Sequence, residues 1–253
     1  QESRALDLYA EMAADNPELI GSGTLALNPE RNLLAIGWVE GEPFSHVLAR
    51  ARHEDEALET ARMAMGLLGR YLAELRRRTV QPGAEIDPFH FEYLEYCSRR
   101  LRGIPLLGRL AFRRAVEEAE GISEAYRAAR PVPSAAHGDF VFRNIHVSGN
   151  RVGLIDFANS LTLSHPLNDF YNLNFGLQNT VLSLETRSGL WDAFLEGLGG
   201  PDYPQAVHRF HFEWHRRRWL MLKILGPHPR DWIQAVRGMG SFARTNAPEA
   251  LAR

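Results

Sequence analysis

The feature that most constrains this chain is a short stretch of β-like sequence set into a body of helices. Asn144 to Val147 and Arg151 to Phe157 read as strands, and Ser148-Gly149-Asn150 supplies the tight connection between them. A fold for this chain must house an antiparallel hairpin among helices. Polar residues at the open end of such a hairpin are then held side by side.

Helical periodicity surrounds the hairpin. Residues 1 to about 16 read as a helix, with Leu6, Tyr9 and Ala13 at helical spacing and Asn16-Pro17 as the stop. Gly23 to Leu27 and Asn32 to Val39 form a further β-like pair about the turn residues Asn28-Pro29-Glu30-Arg31. Leu58, Ala61, Met65, Leu68, Leu72 and Leu75 define a long amphipathic helix. Further helices are expected over about 88 to 102 and 107 to 129, closed by Pro131-Val132-Pro133, and again from about Asp169 onward.

Composition removes several classes of function. With 253 residues, 45% hydrophobic and 24% charged, the chain can bury a substantial core. A net charge of −2 offers no general field for a polyanion, so nucleic acid is not the expected partner. No run approaches the roughly 20 apolar residues that cross a bilayer, so no membrane role is expected. Cys97 is the single cysteine, which excludes an internal disulfide and fits a reducing, cytoplasmic compartment.

Chemistry concentrates in His137-Gly138-Asp139-Phe140-Val141-Phe142-Arg143-Asn144 and, after the hairpin, in Ile155-Asp156-Phe157. A strand beginning after Asn144 and its partner ending at Asp156 set an amide and a carboxylate at one end of the hairpin. Oxygen ligands of that kind suit Mg²⁺. Asp139, five residues earlier, can face the same space. Phosphoryl transfer needs these parts: a carboxylate for the proton of an attacking hydroxyl, and oxygen ligands for the metal that neutralises the phosphates.

These motifs resemble those of the aminoglycoside phosphotransferase-like kinase superfamily, which shares the protein-kinase fold. The resemblance implies an α+β, protein-kinase-like two-lobed fold. Residues 1–40 would be the remnant of a small lobe and hinge, truncated at the N-terminus. Residues 41–253 would form a mainly helical catalytic lobe carrying the catalytic loop and metal-binding hairpin at 137–157. It implies Asp139 as catalytic base, Asn144 and Asp156 as Mg²⁺ ligands, and His137 and Asp169 as supports of the catalytic loop. Ala35 to Gly41 is similar to the hinge that holds the base of ATP or GTP, with Gly37 and Val39 offering backbone contacts and Ile155 a further contact. Glu2 is the match for the helix carboxylate that pairs with a phosphate-binding Lys. The acceptor is expected to be the hydroxyl of a small molecule.

Three departures from the family pattern bear on function. The glycine-rich strands and the phosphate-binding Lys lie upstream in such kinases, so this chain by itself is not expected to be a competent ATPase. His146 stands where the family has an aliphatic residue beneath adenine, and is read as a nucleotide contact by stacking. Arg143 can place a cation near the transferred phosphoryl group or simply pair with a neighbour. A pseudokinase or nucleotide-binding module is one alternative. A metal-dependent hydrolase built on His137, Asp139, His146 and Asp156 is another. Among His208, Arg209, His215 to Arg218 and Lys223, Arg217 and Arg218 are expected to meet an anionic group of the acceptor, while Val207, Phe210, Trp214, Met221 and Leu225 face a core.

Overall fold

The computed structural model describes residues 2–31, 33–103, 114–200 and 203–225. It divides into two compact units, Gln1–Ala84 with Pro133–Pro201, and Glu85–Val132 with Asp202–Arg253. The first unit holds every residue of the candidate site.

In that unit α1 (Glu2–Asp15) is followed by β1 (Leu19–Ile20), β2 (Thr24–Asn28), β3 (Leu33–Ile36), β4 (Glu42–Pro43), α2 (Phe44–Arg50) and α3 (Asp55–Thr79). After the segment belonging to the other unit come β5 (Ser134–Ala136), β6 (Ile145–Ser148), β7 (Arg151–Leu154), β8 (Leu161–Ser164), α6 (Leu167–Gln178) and α7 (Leu184–Leu198). The expected hairpin is β6–β7, in register from Ile145 opposite Leu154 to Ser148 opposite Arg151. It is the middle of a four-stranded sheet in the order β1-β7-β6-β4. The outer strands are two residues long, and periodicity cannot register elements that short.

α3 has acidic residues in its first turn, Asp55 and Glu56, and Arg76, Arg77 and Arg78 in its last, which complements the helix dipole. Its buried face, including Ala61, Met65, Leu68 and Leu72, packs against α7. The helices meet backbone to backbone. A Cβ on Gly69 would lie 2.2 Å from the Phe194 carbonyl oxygen, and one on Gly197 would lie 2.1 Å from that of Gly66. α7 is closed at its start by the Ser183 side chain accepting the Thr186 N–H, and at its end by Gly199 at φ 77°.

The second unit packs α4 (Phe89–Arg102), α5 (Ala115–Ala128) and α8 (Gln205–Leu225) around Cys97, Leu101, Leu220 and Met221. α5 begins at Ala115; residues 107–113 of the expected helix lie outside the described residues, as does the Leu225 side chain. Arg217 corrects the expected basic face. It is 2% exposed and donates to Ser98 Oγ at 2.6 Å, to the Ala115 carbonyl, and to Glu118 and Glu213, each at 3.2 Å. A guanidinium so committed ties three helices together and is not available to an acceptor. No described helix is long and apolar enough to cross a membrane.

The backbone contact at Gly69 leaves no room for a methyl group, so Gly69→Ala is expected to cost roughly 2 kcal/mol or more by overpacking. Urea denaturation read by circular dichroism checks this, with Gly121→Ala, where a Cβ meets nothing within 4 Å, as the neutral control.

Candidate active site

The catalytic loop is held from behind by one carboxylate. Asp169, in the first turn of α6, is fully buried and accepts the His137 N–H at 2.6 Å and the Gly138 N–H at 2.9 Å. Burial pushes its carboxyl up to about 7, against the pull of these two donors. Asn172, one turn on, donates to the Gly138 carbonyl at 3.4 Å. Gly138 has φ 83°, and a Cβ there would sit 1.9 Å from the Asn159 carbonyl oxygen. Only glycine fits that turn.

His137 is 1% exposed, and desolvation pulls its imidazole down to about 4. Nδ1 accepts the Asp139 N–H at 3.4 Å, which leaves Nε2–H to donate to the Ile155 carbonyl at 3.0 Å. The ring is a neutral tie between the loop and the end of β7, consistent with support and not with proton transfer. It packs on Phe157 with centroids 4.5 Å apart.

Asp139 lies at the mouth of this loop with its side chain 9% exposed. Its Oδ2 accepts from Asn144 Nδ2 at 3.0 Å and from Arg143 Nη2 at 2.9 Å. The same Asn144 amide nitrogen donates to the Asp139 carbonyl at 3.0 Å, which fixes the orientation of the amide and turns its Oδ1 the other way. The Ile155 N–H bonds the Asn144 carbonyl at 3.0 Å, so Asp156 follows directly at the hairpin's open end. Asp156 leaves the strand at φ 63° and ψ 65°, exposed, in the left-handed region. The side-chain Oδ1 of Asn144 and the Asp156 carboxylate are hard oxygen donors, the set that Mg²⁺ prefers.

Arg143 is 70% exposed and lies on the Asp139 carboxylate, so the neighbour-pairing reading describes its observed state. His146 sits in β6 opposite Gly153, with its Nδ1 buried and without a hydrogen-bond partner. Gly153 and Val39 meet on that strand pair: a Cβ on Gly153 would lie 2.4 Å from Val39 Cγ1. The Gly37 N–H is committed to the Gly23 carbonyl at 3.1 Å, so the Gly37 carbonyl is the group left for a base. Glu2 lies in the first turn of α1. Among the described residues no three of His, Cys, Asp and Glu are grouped to hold a metal, so the hydrolase cluster is not assembled.

Sequence reading missed Tyr9. Its hydroxyl accepts the Leu154 N–H at 3.0 Å and lies 3.5 Å from the Val152 carbonyl, joining α1 to β7. Its ring packs on Phe157 at 5.4 Å and on Tyr71 at 5.6 Å, and Tyr71 stacks on Phe140 of the catalytic loop at 5.8 Å. The only sequence signal was an aromatic on the apolar face of α1.

Residues 1–220 match the model of the Phosphotransferase enzyme family. The chain belongs to that family, a class of phosphotransferases with kinase-like fold. A choline/ethanolamine kinase family protein from Mesorhizobium loti has TM-score 0.56 at 18% identity, over 98% of this chain and 81% of that one. A glucosamine kinase in complex with glucosamine, ADP and inorganic phosphate has TM-score 0.55 at 15% identity, over 86% of this chain and 64% of that one. The aminoglycoside phosphotransferase APH(3″)-Id from Streptomyces rimosus has TM-score 0.53 at 19% identity, over 83% of this chain and 78% of that one. At such identities the likeness establishes the fold, which is the kinase-like α+β architecture expected. No curated protein matches the sequence significantly.

Because the His137 imidazole is held below its usual range, the unfolded chain takes up a proton between about pH 6.5 and 4 that the folded chain refuses. Its contribution to stability is therefore present above pH 6.5 and lost as pH falls towards 4. Going from pH 7 to pH 5 this amounts to about 2 kcal/mol. Urea denaturation of His137→Gln at both pH values should show a fall in stability smaller than that of the parent by about this amount.

Proposed function

We propose that this protein transfers the γ-phosphate of ATP or GTP to a hydroxyl group of a small molecule. The observation that carries the reading is the Asp139–Asn144 pair. One amide nitrogen fixes the carboxylate, and both of its bonds leave the oxygen of the same amide uncommitted.

Asp139 accepts the proton of the acceptor hydroxyl as its oxygen attacks the γ-phosphorus and the nucleoside diphosphate leaves. With Oδ2 occupied by Asn144 and Arg143, Oδ1 is the oxygen that faces the hydroxyl. Asn144 Oδ1 and Asp156 are the residues to hold Mg²⁺. When bound, the ion supplies charge neutralisation of the phosphate oxygens. The Gly37 carbonyl and the Val39 backbone hold the base, with His146 and Ile155 against it. Arg143 is close enough to exchange its partner Asp139 for a phosphoryl oxygen, which would make it a transition-state cation. The relatives named above carry choline, ethanolamine, glucosamine and aminoglycoside in their descriptions, and the acceptor here is placed in the same broad class of small alcohols.

The test uses the full natural chain. Asp139→Ala should lower kcat by at least about a thousandfold while a magnesium-dependent thermal shift with ATP or GTP survives. Asp156→Ala should abolish the magnesium-dependent part of that shift. Unchanged turnover in Asp139→Ala would overturn the mechanism, and absence of any nucleotide shift in the parent chain would favour a pseudokinase.

A further inference from the structure

A cavity of about 730 Å³ lies within the first unit behind the catalytic loop, between α1, the C-terminal turns of α3, β5 and β8. Its size falls within the roughly 300–1,000 Å³ of small-molecule sites. Asp139, Asn144 and Asp156 take no part in its walls, nor do Gly37, Val39 and His146. It is thus separate from the residues assigned to phosphoryl transfer. His137 and Phe157 do line it, which places it against the rear of both catalytic motifs.

We propose that this cavity binds a small carboxylate with an apolar body. The wall from α1 is apolar: Ala5 and Leu8 are partly accessible there, backed by the buried Tyr9, Met12, Tyr71 and Leu75. Two lining residues are cationic, Arg4 and Arg78, and none is Asp or Glu. Arg78 is already paired, its Nη2 on Asp15 at 2.7 Å and its Nε on Glu74 at 2.5 Å, so Arg4 is the lining cation available to a ligand. Arg4 is exposed and, among the described residues, has no ion-pair partner. The neutral polar group nearest to Arg78 is already satisfied: Thr79 Oγ1 donates to the Leu75 carbonyl at 2.6 Å and accepts the Ala135 N–H at 2.9 Å. Arg4 is therefore the group that recognises, and the apolar walls are the groups that bury.

The inference stands on the cavity and not on the phosphotransfer reading, so the two fail separately. Isothermal titration of the full natural chain with indole-3-acetate and decanoate, each against its neutral amide, tests it. The carboxylates should bind roughly tenfold more tightly than the amides. Arg4→Gln should remove that preference, and Ala5→Phe, which fills the cavity from α1, should abolish binding of both while the Mg²⁺-ATP thermal shift persists. Arg4 is exposed, so the first variant keeps the test decisive if the second does not fold. Equal binding of amide and carboxylate, binding unchanged in either variant, competition with Mg²⁺-ATP, or no binding by the full chain at 10-fold excess over about 1 mM would each overturn the proposal.

Discussion

The site depends on a buried carboxylate that accepts two consecutive backbone N–H groups. Asp169 holds the His137 and Gly138 amides at once, and a loop gripped at two adjacent peptides cannot rotate about either. A neutral amide at that position has one oxygen to offer and would set its own N–H groups against the second donor. The cost is an anion with no cation beside it in a fully buried place, which is why its carboxyl is pushed upward. Asp139 follows directly in that loop, and Asn144 secures its carboxylate.

Around this brace the first unit is joined by close contacts. Tyr9 caps the end of β7 with its hydroxyl and continues as rings through Phe157 and, on the other side, Tyr71 and Phe140. β1 pairs in parallel with β7, so the chain after α1 enters the sheet that carries the catalytic hairpin. Gly153 admits Val39 to that sheet, and Gly41, at φ 108°, passes where a Cβ would lie 2.4 Å from the Val147 carbonyl. The candidate base-binding segment is thereby positioned on the hairpin that ends in Asp156.

Two arginines separate what a charge in sequence can mean. Arg143 and Arg217 both stand in runs that invited a substrate role. Arg143 is largely exposed and bridges to the Asp139 carboxylate, where solvent screens its side of the pair. Arg217 is sealed among α4, α5 and α8 with its donors directed at two carboxylates, a hydroxyl and a carbonyl. Removing it would leave the buried Ser98 hydroxyl and Ala115 carbonyl without this donor, while Glu118 would turn to solvent.

The hairpin and the long helices were legible because each is carried by local sequence: turn residues, strand alternation and helical spacing. So was kinship with phosphotransferases, since the motifs occur in order within a short span. The two-residue strands β1 and β4 and the role of Tyr9 were not legible, because they depend on partners more than 100 residues away. Sequence by itself determined the class of chemistry and the order and spacing of the motifs that define it. Tertiary structure alone decided which tautomer His137 adopts, which Asp139 oxygen accepts from Asn144 and Arg143 and which arginine is buried, because those follow from neighbours that only folding brings together.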